Sequence, residues 1–148
     1  MTKTAARLPL IVLAAAMAFG ANPLMADDLT GANSFLCSAS YASACFDDGD
    51  CESGPATSLN VPAFILVDLA NSQLSTTKAS GENRVTPIKN LQRSEGQIII
   101  QGVEMGRAFS ILIDEASGVL SAAVARGSLG VVVFGNCTPA TGSAKSSN

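Results

Sequence analysis

From residue 63 to 136 the chain is a succession of short apolar runs, each broken by turn-forming residues. In the stretch 107–114, Phe109, Ile111 and Ile113 fall on one face of an extended segment, with Ser110 and Asp114 on the other. Residues 97–103 repeat the pattern, with Ile98 and Ile100 set against Gln97 and Gln101. A period of two in short segments bounded by Gly, Ser and Asn is the mark of antiparallel strands. The pattern predicts strands at 63–69, 73–77, 84–93, 97–103, 107–114, 119–126 and 130–136, with a loop at 78–83. Another around Phe35–Tyr41 brings the expected number to seven or eight. Pro87 removes a ladder donor and so marks 84–93 as an edge or a bulge. Residues 119–126 are alanine-rich, which makes this the weakest of the strand assignments. Val131-Val132-Val133-Phe134 is apolar on both sides, as suits a central or closing strand. No stretch after residue 26 carries a helical period.

Short connections between consecutive strands favour an up-and-down order, and closure into a barrel would remove exposed edges. The expected fold is therefore all-β: a single antiparallel up-and-down β-barrel or sandwich, preceded by a helical signal peptide. After residue 26 the aromatics are Phe35, Tyr41, Phe46, Phe64, Phe109 and Phe134, among many Ala, Gly and Ser. Small side chains of this kind predict a tight, filled interior and not a roomy lipocalin-type cavity.

The first 26 residues read differently. Lys3 and Arg7 form a charged front, 8–21 is an uncharged apolar run, and Leu24-Met25-Ala26 precedes Asp27-Asp28 as a cleavage tripeptide. That is the layout of a Sec-type secretory signal peptide. The run of 14 residues is short of the ~20 that a membrane span needs, so cleavage is expected and stable membrane insertion afterwards is not. The domain plan is a signal peptide at 1–26, a disulfide-stapled β domain at 27–139 and a disordered tail at 140–148. The expected location is periplasmic or secreted.

Removing 26 of the 148 residues leaves 122, a one-domain length, with a net charge of −5 once two of the nine basic residues have gone and all twelve acids remain. Such a surface repels phosphate backbones, so no nucleic-acid partner is expected. All four cysteines survive cleavage, and an even count in an exported chain favours disulfides. Cys45 and Cys51 flank only five residues and close a local loop easily, which leaves Cys37 with Cys137 to tie the first strand to the last. A zinc site is disfavoured, because the chain has no histidine and no Cys-x2-Cys pair.

Candidate chemistry is sparse. Asp48, Asp50 and Glu52 alternate in a way that suits a hard cation such as calcium, but Ser53 and Leu59 stand where an EF-hand loop needs Gly and an acid. A solvated disulfide loop is the preferred reading. Ser75-Thr76-Thr77-Lys78 matches the Ser-x-x-Lys nucleophile motif, which needs a helix where this chain predicts a strand end. Lys78, Arg84 and Arg107 are candidate contacts for an anionic ligand at one end of the barrel, with Glu82, Glu104 or Asp114 as rival ion-pair partners. Asp68 and Asp114 at strand ends would act as an acid–base pair only if they met in a cleft. Triad hydrolases are excluded for want of a histidine base. Neither catalytic residues nor a cofactor is expected. The function expected is non-catalytic binding or interaction, with another envelope or secreted protein as the partner; a structural role in the envelope is the alternative.

Taken together, Cys37…Cys45…Cys51, Pro62-x-Phe64, Asp68, Gly102…Gly106-Arg107, Asp114…Gly118 and Phe134-Gly135-x-Cys137-Thr138-Pro139 resemble a group of small exported proteobacterial proteins without an established activity. In architecture the chain is also similar to the small periplasmic barrels that inhibit C-type lysozymes, which carry Ser-Gly-x-x-Tyr on a loop. Ser80-Gly81 and Ser117-Gly118 supply the first two residues here, and neither is followed by the tyrosine; a lysozyme-inhibitor-like role is the second alternative function, the one this similarity implies. Non-reducing mass spectrometry of the exported protein should give a chain starting at Asp27, lighter than the reduced form by two hydrogens per bridge. An unshifted mass would remove the disulfide framework.

Overall fold

The computed structural model describes residues 28–81 and 83–140; the expected signal peptide, and the expected tail beyond Ala140, lie outside them. Among the described residues there are ten strands: β1 (Ser34–Phe46), β2 (Cys51–Pro55), β3 (Phe64–Asp68), β4 (Gln73–Thr76), β5 (Val85–Pro87), β6 (Asn90–Ser94), β7 (Gln97–Glu104), β8 (Arg107–Asp114), β9 (Val119–Arg126) and β10 (Leu129–Pro139). They form one antiparallel sheet in the order β5-β4-β3-β1-β10-β9-β8-β7-β6, with β2 paired on β1. Apart from β2, sheet neighbours follow one another along the chain, and β10 returns to β1.

The two edge strands, β5 and β6, are separated only by Ile88 and Lys89. The Ile88 N–H bonds Ser72 O at 2.8 Å, extending the β4–β5 ladder, and the Lys89 N–H bonds Gln101 O on β7 at 2.9 Å. Residues 85–94 thus behave as one bent strand whose first half pairs with β4 and whose second half pairs with β7. A flat sheet cannot place both of its edges on one bend. The sheet is accordingly curled and barrel-like.

The strand count exceeds the seven or eight expected, for two reasons. Residues 51–55 were read as part of an acidic loop, but they pair with 41–45 as β2, giving the long β1 a hairpin arm. The segment 84–93 divides at Ile88, where it changes partner; Pro87 sits at the break. The alanine-rich 119–126 is indeed a strand, held between β8 and β10. Tight hairpins have the expected turn chemistry. Met105 and Gly106 both adopt positive φ (49° and 76°), as do Glu95 and Gly96 (56° and 74°), the requirement of two-residue primed turns.

Alternation along β7 and β8 buries Ile98, Ile100, Ile111 and Ile113 inside the curl. These pack with Phe35, Val67 and Leu74 into the main core, which fills one end of the barrel. That end is closed by the segment before β1. Leu29 is fully buried, its N–H bonds Glu115 O at 2.7 Å, and Arg93 donates to Leu29 O and Ala32 O, each at 2.9 Å. Arg93 also pairs with the buried Glu115 carboxylate. On the outside, Val132 and Phe134 remain exposed, so the run that is apolar on both sides has only its inner face covered.

Both expected bridges are present, Cys37–Cys137 and Cys45–Cys51. Each joins residues directly opposite in a ladder: the first welds β1 to β10, the second closes the β1–β2 arm. Disulfides point to an oxidising environment. Loop-closure entropy predicts unequal contributions, about 4.7 kcal/mol for the bridge spanning 100 residues and about 2 kcal/mol for the one spanning 6. Guanidinium unfolding of the Cys37→Ala/Cys137→Ala and Cys45→Ala/Cys51→Ala pairs should show that order. A larger loss from the local pair would contradict it.

Candidate functional site

The inward-facing side chains do not fill the barrel. Above the main core lies a cavity of about 340 Å³. Its wall is built from inward positions around the sheet: Ile65, Leu74, Phe109, Ile111, Leu120, Ala122, Val124, Val131 and Val133. Residues 59–62, following a 3-10 turn at Ala56–Leu59, complete one side. The expectation of a tight interior is therefore corrected. Ala122, Val124, Val131 and Val133, paired across β9 and β10, are small, and in a curl of this circumference such side chains do not span the interior. Gly102 and Phe109 are paired across β7 and β8, and the Phe109 ring lies over the glycine, within 2.8 Å of where a Cβ would stand.

The mouth is charged. Inward positions on β8 and β9 end in Arg107 and Arg126, and those on β7 end in Glu104; Arg84 occupies the inward position just before β5. All four line the cavity. Glu104 faces Arg107 in the β7–β8 register, and its carboxylate pairs with Arg84 at 3.5 Å. One register step beyond the Ala108–Ala125 pair, Arg107 stands opposite Arg126. Neither of these two arginines pairs with a carboxylate among the described residues, and the buried Arg107 Nε has no hydrogen-bond acceptor. Two like charges on one face of neighbouring strands repel, so the row carries an uncompensated positive potential. The opposite end, closed by Leu29 and the Arg93–Glu115 pair, lies about 24 Å away along β8.

The ligand contacts expected from sequence divide. Arg84 and Arg107 reach the cavity; Lys78 is exposed on a 3-10 turn (Lys78–Ser80) and does not line it. Arg126 was missed. Its signal was present in the alternation of β9, where Leu120, Ala122 and Val124 point inward and Arg126 is the next inward position.

The remaining candidates are placed elsewhere. Asp48 accepts from the Asp50 N–H at 3.0 Å, Glu52 stands on β2, and no group of three metal-ligating side chains gathers among the described residues. Ser75 lines the cavity from β4, whereas Lys78 lies beyond its end. The two Ser-Gly pairs have structural tasks: Ser80 Oγ bonds both backbone groups of Phe64, and Ser117 Oγ donates to Asp114 at 2.6 Å. A second hollow of about 230 Å³, between residues 57–63 and Ala79-Ser80, has no charged lining.

Asp68 and Asp114 do not form a pair. Each caps its own turn: Asn71 donates to Asp68 through its side chain and backbone, and Ser117 does the same for Asp114. These hydrogen bonds hold both carboxyls below the ordinary Asp value, and Thr30 does so for Asp28. Compared with protein-family models the chain matches none, and a search of curated proteins likewise returns no match.

Because these three folded-state values are depressed, their stabilisation is complete above the ordinary Asp value of 3.8 and is lost as pH falls through the lowered values. Denaturant midpoints should stay level from neutrality to about pH 5 and drop in more acid solution. Ser117→Ala should lose less on acidification than the parent. Stability that rose below pH 4 would reverse the sign.

Proposed function

We propose that this protein is a non-catalytic, exported binding module that holds a small apolar molecule inside its curled sheet. The observation that carries this reading is the 340 Å³ cavity, walled largely by aliphatic side chains and Phe109 and opening at a charged rim. Its volume falls within the ~300–1,000 Å³ of ordinary small-molecule sites. Apolar walls supply affinity through burial, at about 25 cal/mol per Å² of apolar surface removed from water. The rim supplies orientation.

Export is part of the proposal. The charged front, apolar run and cleavage tripeptide of residues 1–26 support a signal peptide, and the two bridges suit a periplasmic or secreted location. The proposal that it is not an enzyme is supported by the tasks of its acids. Asp68 and Asp114 cap turns, and Glu104 is ion-paired.

Titration with decan-1-ol, followed by methyl NMR, tests the cavity. Saturable shifts are expected at Ile65, Leu74 and Ile111, and they should vanish in Ala122→Phe, whose ring projects into the space. Shifts confined to the outer surface, or none, would remove the reading.

A further inference from the structure

The arrangement of charges at the mouth specifies the ligand more closely. We infer that the molecule held here is a single-chain amphiphile with a carboxylate head, its tail in the cavity and its head between Arg107 and Arg126. This inference rests on the cavity reading above and adds the chemistry of the head group.

Three observations carry it. The first is register: Arg107 and Arg126 are inward residues at the ends of adjacent strands, one step past the Ala108–Ala125 pair, so that the ladder continued by one step sets them opposite each other. Directly opposed residues on one face place their Cβ atoms about 5 Å apart, a spacing that lets two guanidinium groups close on one small anion. The second is the state of the donors. The Glu104 carboxylate, which faces Arg107 in the ladder, is paired with Arg84 at 3.5 Å. The buried Arg107 Nε meets no acceptor, and among the described residues that side chain makes one hydrogen bond, from a terminal nitrogen to Met105 Sδ at 3.8 Å. A buried donor without an acceptor is unfavourable by more than an average hydrogen bond contributes, and a carboxylate at the rim would satisfy it. The third is polarity. A row reading positive, negative, positive, positive leaves a surplus of cations on a chain whose formal charge is −3 overall.

The cavity sets the size of the tail. With a water-sized atom occupying about 30 Å³ in a liquid, 340 Å³ accommodates about eleven heavy atoms. A ten-carbon chain fits; a membrane-length acyl chain would have to project through the mouth.

The test compares decanoate with decan-1-ol at pH 7, by isothermal titration of the oxidised protein. Decanoate is expected to bind tenfold or more tightly than the alcohol, because charge-assisted hydrogen bonds to guanidinium are the strong class. Arg107→Gln and Arg126→Gln should each reduce that preference severalfold. Lys78→Gln makes the same change of charge outside the cavity and should leave the preference intact. Arg126 is exposed at a strand end, so its variant remains informative if Arg107→Gln fails to fold. Equal binding of acid and alcohol by the parent would overturn the head-group inference and leave the cavity reading standing. A preference lost equally in Lys78→Gln would reduce it to general electrostatics and overturn it as well. If neither compound binds, the cavity reading itself fails.

Discussion

The pairing of β1 with β10, riveted by Cys37–Cys137, is the contact on which the rest of the molecule depends. It joins segments 100 residues apart, the most expensive kind of contact to form in chain entropy. β1 is also the hub of the sheet: β10 lies along one side, and β3 and β2 share the other. Without this seam the meander from β3 to β10 would be open at both ends, with two long unpaired edges. With it, the curl is complete enough to enclose an interior. Cys37 itself lies on the cavity wall, so the covalent link and the candidate binding space share one location.

The two ends of the curl have been given opposite treatments. At one, Leu29 is laid across the opening and fastened by Arg93, whose charge is met by Glu115 and whose two terminal nitrogens each donate to a backbone carbonyl. An arginine so fully satisfied is a structural element. At the other end Arg107 and Arg126 face each other without a carboxylate between them among the described residues. The same side-chain chemistry closes one end and lines the open cavity at the other, and the difference is whether acceptors are built in.

A hollow interior has a consequence for stability. The main core fills the closed half and reaches the cavity wall at Leu74, Ile111 and Leu120, and a smaller cluster of Ala42, Ala56 and Val133 lies beside the cavity. Apolar walls that do not pack against one another forgo the contacts that close packing would supply. The two disulfides, acting on the unfolded chain, offset part of that loss.

Local chemistry made much of this legible beforehand. The period of two in residues 97–103 and 107–114, the Glu95-Gly96 and Met105-Gly106 turns, and the Cys45–Cys51 bridge each follow from short-range rules that read directly from neighbouring residues. Arg84 and Arg107 were also visible as candidates, because charge near a predicted strand end is a local signal. What stayed hidden required distances between parts of the chain remote in sequence. Small residues such as Ala122 and Val133 are compatible with a filled interior or an empty one, and only the circumference of the finished curl decides which. The role of Arg126 depends on which strand lies beside β9 and in what register, and the burial of Leu29 depends on Arg93 and Glu115 arriving beneath it from two other turns. Sequence by itself determined most of the strands, their turns and the local Cys45–Cys51 link, since backbone geometry and short loop closure act between near neighbours. Tertiary structure alone decided the hollow and its charged rim, since enclosed volume and converging fields belong to the arrangement of all the strands together.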